Sequence, residues 1–506
     1  MFFRRSPTRE SDLQAFRPFR HLFPVIALLG LTAGAGAAAG AELWTPLSGS
    51  SDLRVVRLDP GVVAGLADAR TTGLEVLAGD ALYEVVVKAV RRNERGVVSI
   101  EGAVPGVEGS FLLLTVGKDG SAAALFGPSA DERWRLHGSG GDLILERVDA
   151  DAFQPCAGTP TELPPLVAGY AGVQGAAASG TADRAFGDVA NDGSRHDLIV
   201  AWTPKTEALA GGAAQMQTEI QLAVDAANMV YAGSGIASRL RLVYAARTEY
   251  DEDTAWSYND HLYAFANPAD GVMDEVPALR TIVGADFMVL FVESVDATGQ
   301  PIDACGVGYV MGADDAVPEF EILAVSVVSR RCAASVWTLA HEVGHNRGCA
   351  HNRENASVDG LTTYAYGHRF TGGDGQGYRT VMSYDTDPVS MTRIPRFANP
   401  SISWAGVATG VPVGDPGESH TSLVHAQTSL LCAGFRPERS FVDFDGTGPG
   451  TGFVDAPFAT LEAGLAQARI GGQVVLQGNA PGYTGTLGDA GVLMFLGSGS
   501  SVLGAP

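Results

Sequence analysis

Three histidines and a glutamate fall within eleven residues in the stretch HEVGHNRGCAH, residues 341–351. His341 and His345 are four residues apart, so an α-helix places both imidazoles on one face. Gly348 follows three residues later, where a residue with left-handed backbone geometry can end the helix. The chain can then turn and bring His351 back to the other two. The spacing therefore predicts a helix, a turn and a point where three imidazoles converge.

Three converging imidazoles are a ligand set for Zn²⁺, which they bind at about 2.0–2.1 Å. Three protein ligands leave a fourth position for water, which is typical of a catalytic rather than a structural zinc site. Glu342 directly follows the first histidine. Its carboxylate can take a proton from that water and pass it to a leaving amine. We expect Ser335 or Thr338 to cap the start of the helix.

The stretch resembles the H-E-x-x-H-x-x-G-x-x-H signature of the metzincin zinc endopeptidases. That family also has a methionine turn below the zinc ligands, and YRTVMSYD, residues 378–385, is similar to it. The resemblance assigns the methionine of this turn to Met382. In astacin-like and serralysin-like metzincins a tyrosine two residues further on lies beside the metal and stabilises the oxyanion. The resemblance implies this role for Tyr384.

Within the metzincins, residues 196–436 are most similar to bacterial reprolysin-like enzymes and peptidyl-Asp metalloendopeptidases. The resemblance rests on LAHEVGHNRGCAHN, YAYGHRF, YRTVMSYD and IPRFANPSISWAGVATG. Reprolysins usually have aspartate after the third histidine, whereas this chain has Asn352, which affects the subfamily assignment more than the chemistry. A preference for aspartate would need a cation in the primed pocket. Arg369, Arg379 and Arg393 are available, and the sequence does not select among them.

The N-terminal residues have the pattern of an export signal. Arg4, Arg5, Arg17 and Arg20 precede the apolar run FPVIALLGLTAGAGAAAGA, residues 23–41, which ends in small residues. The best cleavage site is AGA at 39–41, and AGA at 35–37 is a second candidate. The strongly apolar part is shorter than the ~20 residues that a spanning helix needs. We therefore expect residues 1–41 to be a signal peptide, secretion of the mature protein, and no stable membrane insertion after cleavage.

The pattern along the rest of the chain predicts three parts. Short alternating apolar runs fill the N-terminal third and predict an antiparallel β domain. From His196 onward, strands alternate with long helices, which is typical of an α/β layered fold. We expect a β-rich pro-domain with its linker over 42–190, an α/β metzincin catalytic domain (a twisted mixed sheet plus the active-site helix) over 191–437, and a small C-terminal segment resembling the opening of a β-helix over 438–506.

The balance of charge restricts the partners. The 506 residues include 57 acidic and 34 basic side chains, a net charge of −23, and the lysines are Lys88, Lys118 and Lys205. A chain this acidic is a poor candidate for binding phosphate backbones, so no nucleic acid partner is expected. Proteins or peptides are the expected substrates, and the sequence indicates no oligomeric state.

Five cysteines are an odd number for an exported chain, in which paired thiols form disulfides. Cys156, in FQPCAGTP, precedes the catalytic domain at the start of the linker. Many metzincins carry a pro-domain cysteine whose thiolate occupies the open zinc position until the pro-segment is cut. The resemblance implies this role for Cys156, and thiolate is a strong zinc ligand. The other four would form two disulfides, with Cys305–Cys332 and Cys349–Cys432 expected first among three pairings.

The leading interpretation is a secreted zinc endopeptidase, made as a zymogen, with Glu342 as general base and Tyr384 assisting. One alternative is a binding or adhesion protein on an inactive protease scaffold. The intact ligands, base and methionine turn favour the enzyme. A second alternative is a zinc hydrolase of another clan, with a downstream carboxylate such as Glu354 as third ligand. His351 at the metzincin spacing makes that ligand unnecessary.

Overall fold

The computed structural model of the chain describes residues 40–68, 71–93, 95–138, 141–150, 153, 155–158, 160, 192–255, 257–293, 304–385, 390–468, 472–478 and 492–495. Nearly all of the predicted signal peptide and most of the predicted linker lie outside these residues. Within them, no helix combines the length and the apolar character needed to cross a membrane.

The N-terminal region is β-rich, as its alternating pattern predicts. Its strands are β1 Ala41–Glu42, β2 Trp44–Gly49, β3 Leu53–Leu58, β4 Gly73–Ala78, β5 Ala81–Arg92, β6 Val98–Ala103, β7 Phe111–Val116, β8 Ala122–Gly127, β9 Trp134–His137 and β10 Leu143–Arg147, with helix α1 at Pro60–Ala67. They form one sheet in the order β1-β4-β5-β6-β7-β8-β9-β10-β3-β2. Because only Leu43 separates β1 from β2, one stretch of chain supplies both ends of the sheet, and the sheet closes on itself. Leu43, Trp44 and Leu74 are fully buried in its core.

A second sheet of five strands forms the centre of the following region. Its strands are β11 Arg195–Trp202, β12 Arg239–Arg247, β13 Phe287–Val292, β14 Gly306–Gly308 and β15 Val325–Ser329. Their order is β12-β11-β13-β15-β14, and β14 alone is antiparallel to its neighbour. Every residue of β13 and β15 is buried, as expected for strands covered on both faces. The mixed sheet that the sequence predicts is therefore present.

Helices surround this second sheet. They are α2 Pro204–Ala210, α3 Ala213–Gly233, α4 Tyr258–Ala266, α5 Glu275–Val283, α6 Arg330–Ser335, α7 Thr338–Asn346 and α8 Thr421–Ala433, with 3₁₀ turns at Glu252–Thr254, Ala313–Asp315 and Pro318–Leu323. Helix α3 also packs on the N-terminal sheet. Its Gln215 side chain donates to the carbonyl of Ala122 at 3.0 Å, and Phe111 and Leu125 share its apolar core. The two sheets are therefore joined through α3.

Short strands and a C-terminal segment complete the described chain. They are β16 Arg369–Thr371, β17 Gly377–Arg379, β18 Thr392–Arg393, β19 Ser403–Trp404, β20 Val407–Ala408, β21 Arg439–Asp443, β22 Gln473–Gln477 and β23 Val492–Phe495, with helix α9 at Leu461–Gln467. Strands β21, β22 and β23 are parallel. Phe453 of this segment lies in the core of the second sheet. The likeness of the segment to a β-helix stays a prediction.

Arg95 of the N-terminal region touches all three parts of the chain. Its guanidinium pairs with Asp455 and donates to the carbonyl of Val243. It also lies 4.8 Å from the ring centroid of Phe453 and 5.9 Å from that of Tyr244. A cation held between two rings and a carboxylate favours the assembled arrangement.

One of the two expected disulfides is present. Cys305 and Cys332 are bonded, whereas Cys349 and Cys432 are buried free thiols. The expected Cys349–Cys432 pairing is therefore wrong. The Cys349 thiol faces the carbonyl of Thr421, with an Sγ–O distance of 3.8 Å. Burial raises the pKa of both thiols, that of Cys432 to about 12, so they remain protonated and pack as small apolar groups.

Candidate active site and metal centre

Helix α7 carries the first part of the predicted site, and it begins differently from the prediction. Its N-cap residue is Trp337, which has a φ of 59° and makes no side-chain capping bond. Ser335 ends helix α6 and Thr338 is the first helical residue, so the expected cap at either position is wrong. A positive φ is unfavourable for a bulky residue. Two residues of the N-terminal region hold it: the ring of Phe111 lies 6.4 Å away, and the Arg133 guanidinium lies 4.1 Å from its centroid.

The end of helix α7 follows the prediction. Gly348 has a φ of +91°, and its N–H donates to the carbonyl of His345 at 2.9 Å. The Asn346 amide donates to the carbonyl of Tyr309 at 2.9 Å, which ties this end of the helix to the sheet. A Cβ on Gly348 would lie 2.7 Å from the Cβ of Leu361. Glycine is thus required here both by backbone geometry and by space.

The three predicted histidines converge. The Nε2 atoms of His341, His345 and His351 lie 3.0–3.2 Å apart. The Nδ1 atom of His341 bonds the carbonyl of Val381 and that of His345 bonds the carbonyl of Cys349, both at 2.8 Å. These two rings therefore carry their proton on Nδ1 and direct the Nε2 lone pair to the common point.

This donor set fits a metal ion. Lone pairs that face one another repel unless a cation lies between them, and tetrahedral coordination at about 2.0–2.1 Å separates the nitrogens by about 3.3 Å. Burial, followed by neighbouring charges, lowers the pKa of His341 and His351 far below its usual value and that of His345 to about 4. The rings are therefore neutral at pH 7 and available as ligands. With Cys156 they form the one candidate metal cluster in the part of the chain that the structure describes, and its ligand atoms lie within 4.8 Å of one another.

Glu342 is fully buried beside this cluster. Its Oε2 accepts from the Cys156 thiol at 3.6 Å, and its Oε1 has no hydrogen-bond partner. Gly306 of β14 lies against it, and a Cβ there would be 2.6 Å from Oε1. Burial raises the pKa of Glu342 to about 8, although the Cys156 thiol and the charge of Arg393 act in the opposite direction. A carboxyl group with a pKa near neutrality is suited to accept and return a proton.

Met382 and Tyr384 lie where the sequence predicts them. Met382 is fully buried, and its Sδ is 2.9 Å from the position of a Cβ on Gly344, so it packs below helix α7. The ring of Tyr384 lies 4.1 Å from that of His351. Its hydroxyl donates to the carbonyl of Cys156 at 2.7 Å. Both residues are therefore next to the histidines, and their roles stay predictions.

Asn352, which departs from the reprolysin pattern, links two parts of the site. Its Oδ1 accepts from the backbone N–H of Tyr384 at 2.9 Å, and its Nδ2 donates to Glu354 at 2.7 Å. An amide can accept and donate at once, which a carboxylate cannot. The Glu354 carboxylate pairs with Arg369 at 3.0 Å and lies outside the histidine cluster, so it is not a third ligand.

The backbone around Cys156 lies along an edge strand of the second sheet. The N–H of Ala157 donates to the carbonyl of Gly306 at 2.8 Å, and the N–H of Cys305 donates to the carbonyl of Pro155 at 3.1 Å. An extended peptide adds to an exposed sheet edge through such main-chain bonds. The segment 155–157 therefore occupies the edge of β14 next to the histidines.

The side chain of Cys156 points into the cluster. Its Sγ lies 3.6 Å from Oε2 of Glu342 and 4.0 Å from Nε2 of His345. Burial and the Glu342 carboxylate raise the pKa of the thiol. The thiol thus lies where a fourth ligand would be, on the side of the cluster next to Glu342.

Sequence analysis missed one feature of the site and left another unselected. Gly306, which gives room to Glu342, could have been found from the GVG strand, since glycine inside a strand often marks a close approach. Arg393 was one of three candidate cations, and the structure brings it to the cluster. Its Nη2 lies 2.9 Å from Nδ1 of His341, and both groups donate to the carbonyl of Val381.

The arrangement has the features of a metallopeptidase domain. Two histidines lie on one helix, a third follows a glycine turn, and a buried methionine lies below them, all in an α/β domain with a mixed sheet. Residues 194–412 match the family model described as "Metallo-peptidase family M12B Reprolysin-like". The reprolysin-like resemblance drawn from the motif is thereby confirmed.

Known relatives carry a common name. A peptidyl-Asp metalloendopeptidase of Stenotrophomonas maltophilia (strain R551-3) is 30% identical over 241 residues, which are 47% of this chain and 52% of that protein. One of Pseudomonas aeruginosa is 30% identical over 290 residues, 54% of this chain and 45% of that protein. The chain thus matches about half the length of these curated relatives. The solved metalloproteinase-II from Bacteroides fragilis is 12% identical, with a TM-score of 0.34 over 55% of this chain and 81% of that one.

Proposed function

We propose that this chain is a zinc-dependent endopeptidase, made in a latent form. The observation that carries the proposal is the convergence of three neutral imidazoles next to a buried carboxyl group whose pKa is about 8. Neutral imidazoles bind zinc, and a carboxyl group of that pKa can shuttle protons at neutral pH. The names of the relatives support peptide bonds as the substrate and a preference for aspartate.

The chain's residues divide the work as follows. His341, His345 and His351 would hold the ion through Nε2. A bound Zn²⁺ polarises the substrate carbonyl and acidifies water. Glu342 takes the proton of the attacking water and returns it to the leaving amine. Tyr384, once its hydroxyl leaves the carbonyl that it now contacts, donates to the oxygen of the scissile carbonyl.

The latency follows from the segment around Cys156. Its thiol lies 4.0 Å from Nε2 of His345, where it would be a fourth ligand of the ion, its carbonyl accepts from the Tyr384 hydroxyl, and its neighbours bond the edge of β14. A substrate needs all three places, so the segment and a substrate exclude one another. Cutting the predicted linker after this segment would remove the covalent tether, and the segment would withdraw when the N-terminal region dissociates.

A thiol reagent tests the latency. A mercurial added to the unprocessed protein should react with Cys156 and raise peptide cleavage. Cys156→Ala should be active without the reagent and should not respond to it, which controls for reaction at other thiols. An unprocessed protein that gains no activity from the reagent would count against the switch.

Secretion is a further part of the proposal, and the arginine-apolar-small pattern of residues 1–41 supports it. The N-terminus of the exported protein should be Glu42 if the AGA site at 39–41 is cut. N-terminal sequencing of the protein from culture medium measures this. A protein that stays in the cell with Met1 in place would refute the export signal.

The first experiment on activity is a mass-spectrometric cleavage profile of a peptide library. The processed protein is compared with Glu342→Ala, with the metal content of both measured. Cleavage by the native form alone is expected, with new N-termini dominated by aspartate. If neither form cleaves while metal is bound, the chain is better explained as a binding protein on an inactive scaffold.

A further inference from the structure

The three arginines that follow the histidines differ in their partners. Arg369 pairs with Glu354 at 3.0 Å, and Arg379 lies 3.9 Å from Asp385. Among the residues that the structure describes, Arg393 has no carboxylate within ion-pair distance. Arg393 is partly buried, so a carboxylate ligand that reaches its guanidinium group would supply the missing counter-charge.

Arg393 is also the one of the three that lies at the histidines. Strand β18, which follows the methionine turn, pairs with β17. This pairing brings the chain back to the site. The guanidinium then shares the Val381 carbonyl with His341, with 2.9 Å between the two donor nitrogens. Since Nε2 of His341 faces the metal point, Arg393 is one imidazole ring away from it.

A cavity of about 540 Å³ opens next to Arg393. Ser390 and Thr392 line it from the same side, together with Arg379, and among the described residues this side contributes no carboxylate to the lining. The carboxylates that the described wall contains are Asp52, Asp131 and Asp149 of the N-terminal region. When that region leaves, the remaining wall is cationic and hydroxylic.

We propose that Arg393 selects an acidic substrate side chain next to the scissile bond, and that this cavity receives the side chain once the N-terminal region has left. The inference rests on the proposed endopeptidase function. A planar guanidinium can hold a carboxylate through two parallel bonds. The Arg393 charge also repels a cationic side chain, so the wall disfavours the wrong substrate.

The test uses the processed, metal-loaded protein and peptides that differ at the residue after the scissile bond. Asp, Asn, Ala and Lys stand at that position, and kcat/KM is measured for each. Arg393→Gln should lower the ratio of Asp to Asn by on the order of 10–100-fold, the value of a charged hydrogen bond. Arg369→Gln, whose guanidinium pairs with Glu354 instead, should leave the ratio unchanged. An Arg393→Gln enzyme that cleaves and keeps the native preference overturns the inference.

Arg393 also touches the carbonyl that orients His341, so metal content is measured in every variant. If Arg393→Gln loses its metal, Arg393→Lys is tested instead. Lysine keeps the positive charge but lacks the two parallel N–H donors of the guanidinium group. If Arg393→Lys still prefers Asp to Asn but has a higher KM, the inference is supported. If Arg393→Lys binds metal and no longer prefers Asp, the inference is overturned. A native protein that cleaves no peptide at all refutes the proposed function instead.

Discussion

The Glu342 carboxyl group packs against the two glycines of β14, Gly306 and Gly308. A Cβ on Gly306 would lie 2.6 Å from Oε1 of the carboxyl group, and one on Gly308 would lie 3.3 Å from Oε2. Gly306→Ala should therefore displace the carboxylate and, with Glu342 as the proposed general base, lower kcat by at least about 10-fold. The histidines do not contact this position, so metal content should stay unchanged.

Gly308→Ala is the matched control, since its longer contact predicts a smaller loss. Peptide cleavage and metal content are measured on both processed variants. Equal activity of Gly306→Ala and the native enzyme would show that the carboxylate does not need this space.

His261 in helix α4 makes the fold sensitive to acid. Its Nδ1 lies 3.0 Å from the Tyr250 hydroxyl, and burial lowers its pKa from 6.5 to about 4. Between pH 6.5 and 4, His261 is therefore protonated in the unfolded chain and neutral in the folded chain. The free energy of unfolding falls as the pH drops through this range. His261→Gln keeps a polar partner for Tyr250 and should remove up to about 3 kcal/mol of this loss.

Urea unfolding at pH 7, 5 and 4 measures the effect on the unprocessed protein. His420, which is half-buried, provides a comparison through His420→Gln, with a smaller expected gain. If the free energy of unfolding falls equally with pH in His261→Gln and the native protein, His261 is not the source of the acid sensitivity.

At this scale the sequence predicts the histidines and Glu342 well, because one helix and one turn fix their spacing. The choice among Arg369, Arg379 and Arg393 could not be made in advance. It depends on the pairing of β18 with β17 and on which carboxylates lie near each arginine. These are contacts between residues far apart in the chain.

At the scale of elements, the turn after helix α7 determines where His351 lies. Gly348→Ala adds strain at a φ of +91° and a contact of 2.7 Å with Leu361. The strain alone costs about 1–2 kcal/mol. We expect a lower melting temperature and weaker metal binding, because His351 must move.

Gly375→Ala is the control, since its φ is +81° and no atom lies within 4 Å of the added Cβ. It should lose stability through strain alone and keep its metal affinity. Calorimetry and metal titration separate the two effects. Equal metal affinity in both variants would show that the turn does not position the third histidine.

The two ends of helix α7 differ in how far the sequence predicts them. The glycine that ends the helix is a local signal. The start is not local, because Trp337 keeps a positive φ through its contacts with Phe111 and Arg133, some 200 residues earlier in the chain. Capping rules consider only residues near the helix start and not contacts with a distant part of the chain. The prediction of Ser335 or Thr338 as the cap was therefore wrong.

At the scale of the whole molecule, the N-terminal region is held by more than the linker. Asp225 of α3 accepts from Ser99 at 2.6 Å, and Arg95 lies between Tyr244 and the C-terminal segment. A chain cut only within the predicted linker should therefore stay assembled, and its two parts should elute together in size-exclusion chromatography. Arg95→Ala should release the N-terminal part about 10-fold faster, since a cation between rings is worth about 1–2 kcal/mol.

Arg54→Ala is the control, because its pair with the exposed Asp80 lies within the N-terminal region. Release is followed in the cut protein by surface binding or by chromatography after timed dilution. Immediate separation of the native parts on cutting would contradict the prediction.

In the proposed latent form, the covalent link between the Cys156 segment and the site determines how the site opens. While the chain is continuous, the thiol faces the histidines at a fixed effective concentration that no dilution can change. After a cut, occupancy depends on how much N-terminal fragment remains in the surrounding volume. The same contacts then form a second-order equilibrium, so a crowded compartment keeps the site shut and a large volume empties it. Where the cut protein is released would thus decide when it becomes active, without any further signal.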